Sequence, residues 1–162
     1  MEIAIKSKEA SIIEMIFPEI QNIDFGKIKF KLYSKENEEK WTKEKICLAE
    51  AEYKNFLMLI KLYPEKLIVP SKIMDEFWHM HILDTEAYRK DCKEIFGHFI
   101  DHYPYFGIHG NEDKQNLIDS FEETKKLYFK SFGVRISEFE SARCEGKPCH
   151  APTTCKCRGS NL

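Results

Sequence analysis

Apolar residues recur at three- and four-residue steps along most of this chain. Trp41, Leu48, Ala49, Tyr53, Phe56, Leu57 and Ile60 keep that step from Trp41 to Tyr63, with Lys45 the one charged position on the stripe. This is the period of an amphipathic helix, and Pro64 ends it. Ile12, Ile13, Met15, Ile16 and Phe17 predict a short helix within residues 3–20, stopped near Pro18. The segment IDFGKIKFKLY at 23–33 reads two ways. Ile28, Phe30 and Leu32 alternate with lysines as in a strand, whereas Phe25, Ile28, Leu32 and Tyr33 line one face of a helix capped by Asp24. Helix is preferred, because no partner strand is evident elsewhere. Residues 34–40 form a charged linker.

Val69-Pro70-Ser71 opens the next helix, which carries Met74, Phe77, Trp78, His81 and Ile82, with the proline where a helix start tolerates it. Asp84 is a suitable N-cap for a helix over Thr85–Phe96, and Gly97 a suitable stop. HFIDHYPYFGIHG at 98–110 is short, aromatic and turn-rich. Asn111 caps a last long helix, Glu112–Phe132, with Leu117, Phe121, Leu127, Tyr128 and Phe132 inward and Gly133 beyond its end. Residues 135–142 have room for one more turn or two. The expected fold is mainly α, an irregular bundle of about five to seven helices. It forms a helical domain over 1–142, followed by a Cys-rich, mostly irregular tail over 143–162.

Composition supports a packed core. The 162 residues are 43% hydrophobic and include 12 Phe, 7 Tyr and 2 Trp, which argues against disorder. The scarcity of Gly (7) and Pro (6) excludes collagen-like and low-complexity chains. A formal net charge of -2 argues against an ordinary nucleic-acid binder. The N-terminal residues show no Sec-type signal and no apolar run long enough to span a bilayer. The expectation is a cytoplasmic protein with reduced thiols, acting on an unknown protein or small-molecule partner.

The charge is unevenly placed. Residues 63–142 carry 15 acidic against 10 basic side chains, and five of the six histidines fall between positions 79 and 109. A His-rich segment that is also acidic suits a cation. Asp75 and His79 are four apart and share a helix face. His79 and His81 point about 200° apart on a continuous helix, so either the helix loosens there or one is a ligand and the other packs. His98 and His102 would form a bidentate pair if their stretch were helical. Asp84 and Asp101 add oxygen ligands. Three imidazoles with a carboxylate suit Zn²⁺, and two with a carboxylate and open positions suit Fe²⁺. The candidate ligands are His79, His81, His98 and His102, with Asp84 as ligand or orienting group. The plainer reading makes His79 and His81 packed core residues bonded to carbonyls, and His109 a solvated loop residue. Acid–base chemistry without metal is a further alternative. Cys92 reads as a small buried hydrophobe or as facing the site, and Cys47 as core.

The tail follows the spacing Cys144-x4-Cys149-x5-Cys155-x-Cys157, with His150 beside Cys149. It lacks the paired knuckles of a zinc ribbon. Its four thiolates nonetheless suit one soft ion such as Zn²⁺ or Cu⁺, and nearby Arg143, Lys147, Lys156 and Arg158 favour thiolate. Oxidised pairs, free exposed thiols, or a thiolate donated to the His cluster are the alternatives.

A run of motifs extends through Tyr53-Lys54-Asn55-Phe56-Leu57, Tyr63-Pro64, Val69-Pro70-Ser71 and Asp75-Glu76-Phe77-Trp78-His79-Met80-His81-Ile82-Leu83-Asp84-Thr85. It continues through Tyr88, Asp91-Cys92, Phe96-Gly97 and His102-Tyr103-Pro104-Tyr105-Phe106-Gly107. In these residues the chain resembles the glycine-rich domain-containing protein-like family, a domain of unknown function, over about half its length. The resemblance implies Trp78, His79, His81, Asp84, Asp91, Cys92 and His102 as motif positions and assigns no catalytic residue. His98 stands outside the motif. That family occurs in bacteria, fungi and plants, with plant members linked to stress responses and development. Plant members add glycine-rich regions and further domains, so this chain is expected to be a minimal, stand-alone version. The functional expectation is a metal-binding helical protein, a metal-dependent enzyme if the ion keeps an open position. The alternatives are a non-enzymatic interaction module with structural histidines, or a metal or redox buffer acting through the tail.

Overall fold

A computed structural model describes residues 16–34 and 41–137. Among them are six helical segments: α1 (Pro18–Gln21), α2 (Gly26–Tyr33), α3 (Lys43–Leu62), α4 (Lys72–Leu83), α5 (Thr85–Phe96) and α6 (Asn111–Phe132). The architecture is mainly helical, as the periodicity implies. No described helix is long and apolar enough to cross a membrane.

Local chemistry sets most boundaries. Thr42 caps α3 by accepting the Lys45 N–H at 3.2 Å. Ser71 caps α4 by accepting the Met74 N–H at 3.4 Å, and Asp84 caps α5 through Ala87 N–H at 3.4 Å. Gly97 and Gly133 end α5 and α6 in the left-handed conformation, which glycine adopts without Cβ strain. The ambiguous 23–33 segment is helical: Phe25, Ile28 and Leu32 are buried, while Tyr33 and Phe30 face outward.

Several boundaries differ from expectation. Pro18 opens the single turn α1; Ile16 before it is helical, Phe17 is not, and the rest of the expected N-terminal helix lies outside the described residues. Pro70 precedes the cap of α4, so its missing N–H falls outside the helix. The cap of α6 is Gly110, at φ 96°, and Asn111 is already helical. Residues 135–137 are not helical, and 138–142 lie outside the described residues.

Helix α3 is the axis of the bundle. Phe56, Leu57, Met58 and Leu59 are all buried, four consecutive residues that cover every side of a helix, so its second half is enclosed. It packs against α1, α2, α4 and α6, and α4 in turn packs on α5. In the first half of α3 the buried residues, Ile46, Ala49 and Glu52, lie on one face. Cys47 is exposed there beside half-exposed Leu48, which corrects its reading as core. Phe25, Tyr53, Phe56, Phe77 and Trp78 interlock with ring centroids 5.1 to 6.3 Å apart. Lys61 on α3 donates to Glu19 at 2.5 Å and to the Ile95 carbonyl at 2.6 Å, tying α1 and α5 to the axis.

The connection between α5 and α6 is fastened at its far end. The N–H groups of Gly107 and His109 donate to Asp113 Oδ2 at 2.7 and 3.1 Å. Gly107 has φ 87°, and a Cβ there would stand 2.6 Å from Leu117 Cδ2. Both the backbone and the space therefore require glycine. Gly107→Ala is expected to cost about 2 kcal/mol or more, from left-handed strain together with overpacking. A urea titration checks this; an unchanged midpoint would refute the argument.

Candidate metal centre

Helix α4 has two polar faces, set by its own pitch. Asp75 and His79 lie one turn apart on the same face, and His81 points away from them. His102 arrives from the α5–α6 connection. Its Nε2 lies 2.7 Å from Asp75 Oδ1, and its ring centroid is 4.5 Å from that of His79. His79 Nδ1 lies 2.7 Å from the Asp75 main-chain carbonyl and 3.3 Å from Asp75 Oδ2. The carbonyl can only accept, so His79 Nδ1–H is the donor in that bond. Asp75, His79 and His102 each offer one ligand atom, and these atoms lie within 4.8 Å of one another. This is a His/Asp group that could hold a metal ion. The three side chains retain 13 to 18% exposure, so the group is reachable from solvent.

His102 is held in place by a chain of polar and aromatic contacts. Trp78 Nε1–H donates to the Tyr88 hydroxyl at 2.9 Å, and that hydroxyl donates to the Ile100 carbonyl at 2.7 Å. The Trp78 ring meets the His102 ring edge-on, with centroids 4.5 Å apart, and the Phe99 ring meets Tyr88 at 5.1 Å. The α5–α6 connection is thereby gripped at residues 99, 100 and 102. Burial pushes the Tyr88 hydroxyl well above the usual phenol range, so it stays a donor.

The remaining candidates are placed elsewhere. His81 is buried, with Nδ1 3.0 Å from the Tyr53 hydroxyl and Nε2 3.0 Å from Asp91 Oδ2. Asp91 fixes the proton on Nε2, and Nδ1 accepts from Tyr53. Desolvation lowers the His81 pKa against the opposing pull of Asp91. Asp84 is engaged as the α5 cap and is not in the Asp75 group. His98 is exposed beside Phe96; residues 98–102 are not helical, so the four-residue spacing to His102 creates no shared face. Asp101 and His109 are exposed. Cys92 is buried against the Tyr88 hydroxyl and the Ile100 N–H, and burial raises its pKa, which leaves it an inert thiol. Cys144, Cys149, Cys155 and Cys157 lie outside the described residues. Asp75 was not among the candidate ligands. Its four-residue spacing to His79 was the available signal, and its partnership with His102 appears only when the chain folds.

The family model described as UCP032817-like matches residues 18–123. That span holds α1 to α5, the whole Asp75–His79–His102 group, and the first half of α6. No curated protein and no solved structure matches the chain.

The burial of His81 gives a pH dependence. Its pKa is lowered in the fold from 6.5, so the unfolded chain takes up a proton that the folded chain resists. The stability this residue contributes is complete above about pH 6.5 and is lost as pH falls through the lowered folded value. Urea unfolding at pH 7.5 and 5.0 should show a larger acid loss for the native chain than for His81→Gln. Equal losses would contradict the assignment.

Proposed function

The chain belongs to the UCP032817-like family, whose model matches well over half of it, and we propose that it is a metal-binding protein with its ion at Asp75, His79 and His102. The observation that carries this reading is the convergence of three ligand atoms from two separate elements within 4.8 Å. Two imidazoles and one carboxylate suit Fe²⁺ or Zn²⁺. If Asp75, His79 and His102 are its protein ligands, the ion keeps positions open for water or for an oxygen atom of a substrate, which is the condition for metal-dependent catalysis. The His79 Nδ1–H bond to the Asp75 carbonyl supports the reading, because it fixes the ring and leaves its other nitrogen available to an ion, as in many metal-binding histidines. Likeness to the glycine-rich domain-containing protein-like family belongs to the same proposal. So does a second, softer ion at Cys144, Cys149, Cys155 and Cys157.

A second reading has its own observation. The 2.7 Å bond between His102 and Asp75 is itself a clasp between helix and loop, and the loop exposes Phe99, Tyr103, Tyr105 and Ile108. Under that reading the histidines are structural and the loop meets a protein partner.

Elemental analysis of protein purified without chelator, under reducing conditions, separates the two. The metal reading expects iron or zinc near a single ion per chain. His79→Ala and His102→Ala are each expected to weaken binding by about 100-fold or more, with helical content kept. Truncation after residue 142 is expected to leave this ion in place. A metal-free native protein, or full metal retention in both variants, would sink the reading in favour of the clasp.

A further inference from the structure

The ligand set is assembled from a helix and a loop, so something must hold the loop at ligand distance. We infer that the Tyr88 hydroxyl is the positioning group for this centre, bridging Trp78 on α4 to the Ile100 carbonyl two residues before His102. The inference rests on the metal reading above.

The geometry is specific to this hydroxyl. A tyrosine O–H has one proton and accepts through its oxygen lone pairs. Here the proton goes to Ile100 at 2.7 Å, and a lone pair receives Trp78 Nε1–H at 2.9 Å. Tyr88 is 2% exposed, so no solvent replaces either bond when the hydroxyl is removed. Trp78 is at the same time the surface on which the His102 ring rests, at 4.5 Å. The residue that receives His102 thus also donates to the hydroxyl that fixes the backbone of the same loop. Loss of the hydroxyl leaves a buried indole N–H and a carbonyl without this partner and frees the loop to move His102 from Asp75. The hydrogen bonds of the Tyr88 hydroxyl go to Trp78 and Ile100 and not to a ligand, so its effect is on ligand placement.

The test compares two identical deletions. Tyr88→Phe removes the bridging hydroxyl. Tyr128→Phe removes an equally buried hydroxyl that accepts from Asn55 at 2.8 Å, between α3 and α6 and outside the ligand group. Zn²⁺ affinity is measured by competition with a chromophoric chelator, at a temperature where all proteins are folded by circular dichroism. Tyr88→Phe is expected to bind about tenfold or more weakly, and Tyr128→Phe to stay within about twofold of the native protein. With Co²⁺ as probe, the d–d spectrum should change in Tyr88→Phe and not in Tyr128→Phe, a difference that general destabilisation does not produce. Native-like affinity and spectrum in folded Tyr88→Phe would overturn the inference while leaving the metal reading intact. Absence of binding by the native protein would overturn both. Should Tyr88→Phe fail to fold, Trp78→Phe removes the donor at the other end of the bridge while keeping a ring over His102, and the same outcomes apply.

Discussion

At the centre of this protein one buried imidazole joins three helices. His81 on α4 bonds Tyr53 on α3 through one ring nitrogen and Asp91 on α5 through the other, each at 3.0 Å. Both nitrogens are satisfied, which a buried polar ring requires. Phe25, Tyr53 and Tyr88 close around it edge-on, with centroids 5.0 to 5.9 Å away. Because both bonds are directional, they set the rotation of α4 about its own axis. That rotation in turn decides which residues of α4 look outward. Asp75 and His79 are turned toward the α5–α6 connection because His81 is turned toward the core.

The outward face is completed by a loop that has little regular structure of its own. Residues 99 to 102 are gripped by Trp78 and Tyr88, and residues 107 and 109 by the Asp113 carboxylate at the start of α6. Between these fastenings His102 reaches Asp75. The arrangement divides the polar and aromatic residues of this region into two jobs. Trp78, His81, Tyr88, Asp91 and Asp84 build the support, and His79 and His102, with Asp75, form the group of converging ligand atoms. Cys92 belongs with the support, since its thiol is buried against the same hydroxyl and backbone that hold the loop.

Much of the fold was legible in the chain. The three- and four-residue steps locate α3, the caps at Asp84 and Gly97 bound α5, and the apolar positions Leu117, Phe121, Leu127, Tyr128 and Phe132 are the inward set of α6. Errors came where a local pattern needs a neighbour to interpret it. Cys47 sits between apolar residues, yet it lies on the exposed side of α3. His98 and His102 have helical spacing, yet Gly97 ends the helix immediately before them. Leu48 lies on the predicted stripe but near its rim, where the packing has already thinned.

For the site, the sequence by itself determined that His79 and His81 point apart on any continuous helix, because a helix turns about 100° per residue whatever surrounds it, and the unbroken α4 then separates them. It also determined that Asp75 and His79 share a face. Which of the two histidines faced the core, and that His102 rather than His98 joined Asp75, was decided only by tertiary structure. Those choices depend on Tyr53, Asp91 and Tyr88, which meet α4 and the loop through contacts 10 to 28 residues apart in the chain. No local periodicity encodes a distance of that kind, because it is fixed by how the helices pack and which buried polar groups must find partners.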